Sequence, residues 1–477
     1  MAWTKTIQGF TQTQERPLTM PSVVYQTALL ICQLCQTLPI GTNLGIVYLL
    51  WTIITGKLLN SRGSLFPALL EAGFTDRQAR QSEASLREGK FEIDRIIQEH
   101  NKIIKLHKKV EKITINEHTP LLLDWVGFYR PNLKGCVTKH FQSTAGKALP
   151  AIELGMIARP YQVEYDFLNK GVETKKIRKF PVLIGLVRGG KTVELLQAGS
   201  KKMRASDVLI VDRQVKVTHL HQAGVKRFVV RGAIDMTALT EQNAPYCGHG
   251  PHSKKGSIVR PLARQYKDNV IEATKADSEE TFRFQGRILK VQYFRNLVVK
   301  DCPLVFHVVV VYDPKYKKPW VLITDLSDPG EVIFHLYRSR WKVEQIPQTG
   351  KQLLGGHRSF VHSDEIRYRL PELILFAASL SLYLSAITPA VSSGFWDKNP
   401  DRTAGRFCRG LLGGTFPTLS QEILADLPEK TTTPLGTLMA FPVRVRNKLS
   451  VFAHLPVGVA AHRRQKRAEN SPAISGN

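Results

Sequence analysis

The chain has few cysteines, only six among 477 residues. This number excludes a disulfide-dense scaffold, because such scaffolds carry many cysteines in a short chain. Cys32 and Cys35 form one Cys-x-x-Cys pair in an apolar run, with no second pair at the spacing of a structural zinc site. We interpret both as buried thiols, and the expected compartment is a reducing cytoplasm.

A second group of soft ligands, in the run YCGHGPH, is Cys247, His249 and His252. Glycine and proline between these residues indicate a loop. We favour a loop without a bound metal ion over a metal site.

Long hydrophobic runs are scarce, and the polar, mixed N-terminus shows no secretory signal. Asn43–Leu59 is short for a bilayer span. Leu370–Val391 is long enough, but it carries Glu372 and many small or hydroxyl residues. Both stretches are predicted to be buried core helices, so no membrane partner is expected. A membrane-associated basic protein is the alternative.

Acidic residues are outnumbered, with 40 Asp and Glu against 67 Lys and Arg, a net charge of +27. Such an excess predicts a polyanionic partner, either nucleic acid or an anionic membrane surface. Two basic runs precede predicted strands: Lys170, Lys175, Lys176, Arg178 and Lys179, and then Lys201, Lys202 and Arg204. Each run alone is typical of a solvated face, but together they predict contacts to phosphates with strong salt dependence.

The N-terminal part has helical apolar spacing from Pro21 to about Leu106, and Phe91–Lys112 is predicted as its last helix. Residues 65–89 indicate a helix, a turn and a second helix that Thr75 caps. This pair is either a helix-turn-helix DNA reader or a plain helical hairpin.

The middle of the chain alternates strand-like and helical segments. The predicted strands are Thr119–Val126, Ala148–Ala158, Phe180–Arg188, Val208–Asp212 and Arg227–Gly232, and the predicted helices are Lys191–Arg204 and Val217–Gly224. This order suits a mixed sheet with helices packed on it. Asp235–Asp328 is strand-like, and Glu365–Ala390 is largely helical.

Two acids lie in the most apolar strand-like runs, Asp124 in LLLDW and Asp212 in VLIVDR. A buried acid is costly unless it is paired or metal-bound. Carboxylates that converge at the ends of rigid strands are the ligands that metal-assisted phosphodiester cleavage needs. The alternative is a structural aspartate bonded to backbone or to an arginine such as Arg213.

A third acid, Glu344, lies among cations in the run YRSRWKVEQ. On an α-helix the spacing places Arg340, Glu344 and Lys351 on one face, with Tyr337 one turn earlier. This arrangement suits an acid that holds a divalent metal while its neighbours hold phosphates. The alternative is an amphipathic surface helix with one Arg–Glu pair.

The pattern Y-x2-R-x3-E-x6-K resembles the signature of insertion-sequence DDE transposases, whose catalytic core is ribonuclease-H-like. The resemblance implies that the first Asp lies on the first core strand, the second on the fourth and the Glu on a later helix. It assigns catalysis and the binding of two Mg²⁺ (or Mn²⁺) ions to Asp124, Asp212 and Glu344. It assigns contacts to DNA phosphates to Tyr337, Arg340 and Lys351. The long interval from Asp212 to Glu344 is similar to that of the subgroup with a β-rich insertion.

The expected fold is therefore mixed α+β. Its expected parts are a helical, DNA-binding region over 1–115, the two parts of the ribonuclease-H-like core over 116–234 and 331–390, a β-rich insertion over 235–330, and a C-terminal region over 391–477 that ends in a basic, disordered tail.

Three residues near the signature carry separate expectations. Pro347 departs from the smooth helix of related chains and should kink or end the helix between Glu344 and Lys351. Trp341 is predicted to pack the helix rather than stack on a base. Trp320 is predicted to pack at the start of a strand, although related enzymes can use an aromatic residue there to hold a flipped base.

The sequence thus favours a bacterial, cytoplasmic and nucleoid-associated transposase. The resemblance implies metal-dependent cleavage at transposon ends, strand transfer into target DNA and action as a homodimer on double-stranded DNA. The alternative is a catalytically inactive, transposase-derived DNA-binding protein, although all three acids are present.

Overall fold

The computed structural model describes most of the chain between residues 20 and 417. The described ranges are 20–39, 41–130, 138–142, 144–169, 172–212, 215–243, 256–266, 269–358, 365–392, 394–397, 399–411 and 414–417. The predictions for Cys247, His249, His252, Lys170, Arg213 and the C-terminal tail lie outside these ranges.

The N-terminal part is helical, as its apolar spacing predicts. Its helices are α1 (Met20–Cys35), α2 (Asn43–Ile54), α3 (Lys57–Asn60), α4 (Leu65–Glu71), α5 (Asp76–Glu88) and α6 (Ile93–Leu106). Helix α2 is buried along nearly its whole length, which confirms a core helix. Helix α6 ends at Leu106, not at Lys112 as predicted, because Val110–Lys112 pairs with a neighbouring strand.

The turn between α4 and α5 follows its sequence closely. Gly73 adopts a φ of 88°, which glycine tolerates without strain. Thr75 caps α5 in a capping box with Gln78. The exposed side of α5 carries Arg77, Arg80 and Arg87 together with Asp76 and Glu88, so its outer face has charges of both signs.

Thirteen strands form one mixed sheet, and two short strands form a separate hairpin. The strands are β1 (Val110–Lys112), β2 (Thr119–Tyr129), β3 (Lys139–Gln142), β4 (Lys147–Asn169), β5 (Val172–Arg188), β6 (Asp207–Val211), β7 (Phe228–Arg231), β8 (Ala238–Asn243), β9 (Gly256–Val259), β10 (Arg264–Tyr266), β11 (Asn269–Ile271), β12 (Ser278–Phe284), β13 (Arg287–Val299), β14 (Cys302–Tyr312) and β15 (Trp320–Thr324).

The middle of the sheet is built around β2, whose continuous apolar run is buried on both faces. Strand β4 lies antiparallel to β2 on one side, and β5 lies antiparallel to β4. On the other side β6 runs parallel to β2, and β7 runs parallel to β6. All five strands occur where the sequence predicts them. The β4–β5 hairpin extends further than predicted, because its outer part is polar and exposed.

The strand-like segment after β7 continues this same sheet. Strand β15 pairs antiparallel with β7, and β14, β13, β8 and β9 follow in that order. Strand β12 pairs with β13 beside this path. The β-rich segment therefore extends the central sheet. Its last strand, β15, lies beside β7, which is the neighbour of β6.

Helices cover both faces of the sheet. On the first face, Leu122 and Ile210 of the sheet share a core with Phe376 from the later helices and with the N-terminal helices. On the second face, Leu121 and Leu209 pack with α7 (Thr192–Lys202) and α8 (Val217–Gln222). This layering satisfies the apolar surface of both sheet faces.

The helical part after β15 is irregular. It consists of α9 (Gly330–Arg338), a 3₁₀ turn (Ser339–Lys342), α10 (Gln345–Gln348), a π-turn (Thr349–Leu353), a 3₁₀ turn (Gly356–Arg358), α11 (Ile366–Ile387) and α12 (Ala404–Leu411). Among the described residues, α11 alone has the length and apolarity to cross a membrane, but nearly all of it is buried inside the protein. Its Glu372 binds Arg188 at 2.6 Å. These features fit the predicted core helix and are compatible with a soluble protein.

Candidate active site

The sheet places Asp124 and Asp212 side by side. Leu122 of β2 and Ile210 of β6 are partners in the parallel register, and each aspartate lies two residues further along its chain. Side chains alternate between the faces of a sheet, so both aspartates point to the first face, as Leu122 and Ile210 do. Two acids that are far apart in sequence thus meet on one side of the sheet.

The third acid, Glu344, reaches the same place from an interrupted helix. The α-helix predicted for the signature is irregular even before Pro347, since 3₁₀, α and π geometry alternate after Arg338. The Val343 carbonyl accepts a hydrogen bond from the Ile346 amide at 3.1 Å, three residues ahead. Pro347 has no amide hydrogen with which to form the regular α-helical bond to that carbonyl. The expected effect of Pro347 is therefore present.

Arg340 joins the three acids. Its Nη1 lies 2.8 Å from Glu344 Oε1 and 4.0 Å from Asp124 Oδ2. Its Nη2 lies 3.7 Å from Asp212 Oδ2. The guanidinium is buried, and its Nε has no hydrogen-bond partner among the described residues. One planar cation therefore serves three carboxylates that come from three separate parts of the chain.

Tyr337 fixes one of these acids. Its hydroxyl donates a hydrogen bond to Asp212 Oδ1 at 2.9 Å. Burial, and then the charge of Asp212, raises the pKa of Tyr337 to about 12. The phenol therefore stays protonated and keeps its donor at neutral pH. Tyr337 lies near the end of α9 and Arg340 lies in the 3₁₀ turn that follows, and both side chains face the acids.

The charged groups of the site shift one another's pKa values. Burial raises the pKa of Asp124 to about 6, Glu344 and Asp212 raise it too, and Arg340 and the Trp125 amide oppose the rise. Burial lowers the pKa of Arg340, but the surrounding acids and Tyr337 more than offset this, so its pKa is raised. Arg340 is thus firmly cationic.

Lys351 lies at the edge of this cluster. Its Nζ is 5.4 Å from the ring centre of Phe128 and 5.6 Å from that of Tyr129, near the end of β2. Burial and Arg130 lower the pKa of Lys351 to about 8, although Asp124 raises it. The structure therefore brings all six residues of the sequence prediction to one region, with Lys351 outside the Arg340 contacts.

The two tryptophans differ in their surroundings. Trp320 is buried, and its ring centre lies 5.4 Å from that of Phe334, which agrees with the predicted packing role. Trp341 is 58% exposed, so the prediction that it packs the helix is wrong. The change to 3₁₀ geometry aligns Tyr337, Arg340 and Val343 on the buried side and turns Trp341 outward.

Arg231 is a site residue that the sequence reasoning missed. Val211 pairs with Val230 in the parallel register of β6 and β7, so Arg231 lies level with Asp212. Its guanidinium carbon is 5.0 Å from the Trp320 ring centre and 5.9 Å from that of Tyr337. Arg231 could have been found from its place at the end of the strand after β6, because parallel neighbouring strands end at the same edge of a sheet.

The donor set suits a hard divalent cation, because it offers carboxylate oxygens and no soft ligand. Within the described ranges, no group of three His, Cys, Asp or Glu side chains is already arranged to hold a metal ion. Arg340 lies between the acids instead. Because the three acids stabilise a positive charge among them, the pKa of Arg340 is raised. Carboxylates of Asp124, Asp212 and Glu344 would bind such an ion after a shift of Arg340.

Comparison with protein-family models finds no match to this chain, and comparison with curated proteins finds no match either. The geometry of the site and the signature residues are therefore the observations from which a function can be inferred.

Proposed function

We propose that this chain is a DNA transposase with a ribonuclease-H-like core, which cleaves DNA at transposon ends and joins the ends to target DNA. The observation that carries the proposal is the convergence of Asp124, Asp212 and Glu344 on Arg340. An isolated surface pair of Arg340 and Glu344 would not require two aspartates from neighbouring strands in the same place.

The order of the elements supports the same core. Asp124 lies on β2, the first long strand, and Asp212 follows β6, the fourth strand when the short β1 and β3 are left aside. Glu344 comes later, in a helical segment that follows the β-rich strands. These are the positions that the resemblance to DDE transposases implies.

In the proposed reaction, a water oxygen attacks the phosphorus at the transposon end, and the bond to the 3′ oxygen breaks. The freed 3′-hydroxyl then attacks a phosphorus of target DNA by transesterification, with release of the displaced 3′ oxygen. Bound Mg²⁺ or Mn²⁺ would activate the attacking oxygen and stabilise the leaving oxygen.

The protein groups have separate parts in this reaction. The three carboxylates hold the metal ions, and the Tyr337 hydroxyl fixes the orientation of Asp212. Arg340 offers a planar fork of donors to phosphate oxygens, whereas Lys351 acts as a mobile point charge. Since Arg340 already contacts all three acids, a phosphate that binds Arg340 is held next to them.

The test is strand nicking of a library of DNA ends from the genomic flanks of the element, in Mg²⁺ or in EDTA. We expect nicking by the wild type in Mg²⁺ alone and loss of nicking in Asp212→Asn. The exposed Asp166 provides the matched control, because Asp166→Asn removes the same charge outside the site. Tight DNA binding without nicking by the wild type would favour the non-catalytic DNA-binding protein.

A further inference from the structure

The basic run in the first half of β5 contains two kinds of residue, those with an acidic partner and those without one. Lys175 pairs with Glu164 at 2.7 Å, and Lys176 pairs with Asp401 at 2.8 Å. Arg178 and Lys179 make no ion pair in the described part of the chain, and Arg178 Nε is buried without a hydrogen-bond partner there. The paired lysines have local partners for their charge, whereas the other two cations do not.

The two unpaired cations meet two more from the signature segment. Strand β5 packs against the 3₁₀ turn Ser339–Lys342. The charges of Arg178, Lys179 and Arg338 all act on Lys342, so the four cations lie close together. Arg338 lies 4.2 Å from the ring centre of Phe284, and no carboxylate pairs with it among the described residues. We call Arg178, Lys179, Arg338 and Lys342 the cation cluster.

Two members of the cation cluster lie in the segment that carries Arg340 and Glu344. Arg338 and Lys342 flank Arg340, which faces the acids on the other side of the same turn. Like charges held together without acids cost free energy unless an anion binds them. Asp401 is the carboxylate whose charge acts on Arg178, and it is already bound to Lys176.

We propose that the cation cluster binds consecutive phosphates of the DNA strand that passes beside the three acids. This inference rests on the proposed function for the identity of the polyanion. Lysines give mobile point charges and arginines give forked donors, and both suit a backbone whose sequence is not read. The cation cluster would hold the strand so that one further phosphate lies within reach of Arg340.

The test compares two double variants with equal net charge. Lys179→Gln with Lys342→Gln removes two charges from the cation cluster, and Lys175→Gln with Lys176→Gln removes two charges that are paired with acids. Binding of a fluorescent mixed-sequence DNA duplex is measured over a range of salt concentrations. Log affinity falls as log salt rises, and we expect this fall to be less steep in the first variant, by about 2 in the slope. We also expect this variant to bind DNA about tenfold or more weakly near 0.1 M salt.

Two further measurements separate the possible results. Lys179→Arg with Lys342→Arg should restore binding, which a purely structural role of the lysine side chains would not allow. In the nicking assay, the first variant should raise KM for DNA with little change in kcat. Equal weakening in both Gln variants, or weakening in neither, would overturn the inference. Absence of nicking in the wild type, with the expected binding difference intact, would contradict the proposed function and leave the cation cluster standing.

Discussion

At the scale of single residues, Arg340 holds the candidate site together. Its guanidinium contacts Asp124, Asp212 and Glu344, and Tyr337 fixes Asp212 from the other side. The end of α9 and the 3₁₀ turn that follows it thus present Tyr337 and Arg340 to the acids at the spacing of the signature.

We predict that Arg340→Gln lowers stability in EDTA at neutral pH by about 1–3 kcal/mol, because the carboxylates then repel one another without a buried cation. A ligand that binds only the folded state raises its stability. Added Mg²⁺ should therefore stabilise this variant more than the wild type, because in the wild type Arg340 must shift before the ion can bind the carboxylates. Thermal unfolding measures both effects. Arg338→Gln is the control, and equal shifts by Mg²⁺ in the wild type and in Arg340→Gln would contradict the prediction.

The raised pKa of Asp124 predicts a dependence of stability on pH. The folded protein holds this proton up to about pH 6, whereas the unfolded chain releases it near the usual value of 3.8. Stability should therefore fall as the pH rises from about 4 to about 6, since the folded state binds more protons in that window. Urea unfolding in EDTA measures this fall. Asp124→Asn should lack it, and an unchanged pH profile in the variant would disprove the assignment.

At the scale of elements, the sequence predicted the central strands well and the signature helix poorly. The strands β2, β6 and β7 and the inner parts of β4 and β5 lie in continuous apolar runs, which burial on both faces requires. The geometry after Arg338 depends instead on Pro347 and on packing against α11. An added Cβ at Gly350 would lie 3.1 Å from Ile374 of α11, so this close approach favours glycine. Tertiary contacts of this kind leave no periodic signal in the sequence.

The residues of the candidate site were likewise predicted only in part. The acids and Arg340 were predictable, because residue type and spacing carry their chemistry. Arg231 was missed because its position beside Asp212 comes from the register of two parallel strands. The outward turn of Trp341 could not be predicted either, since it follows from a local change of helix type.

The contact of α2 with α5 gives a prediction for the N-terminal helices. An added Cβ at Gly45 would lie 2.6 Å from Ser85 Cβ and 2.9 Å from the Gln81 carbonyl. Gly45→Ala should therefore destabilise the protein by about 1–3 kcal/mol, because one helix must shift. Gly405→Ala, whose Cβ would have only ordinary contacts with Leu353, should be neutral or stabilise by about 0.5–1 kcal/mol. Urea unfolding distinguishes the two, and equal stabilities would contradict the packing argument.

At the scale of the whole molecule, one sheet connects the acids with the β-rich strands. Strand β15 lies directly beside β7, so the segment between Asp212 and Glu344 returns the chain to the edge of the candidate site. The sequence predicted strands in this segment but not their continuity with the central sheet, because pairing between distant strands depends on register. The net charge of +27 is consistent with a polyanionic partner for the whole protein.

The most direct test of the three-acid site is rescue by a change of metal. We would measure strand nicking by Asp212→Cys in Mg²⁺ and in Mn²⁺, with Asp212→Ala beside it. A thiolate is a poor ligand for Mg²⁺ and a better one for Mn²⁺. The account predicts that Mn²⁺ raises nicking by the Cys variant about tenfold or more and leaves the Ala variant inactive. Nicking at the wild-type rate by either variant in Mg²⁺ would contradict the account, because Asp212 would then not be a metal ligand.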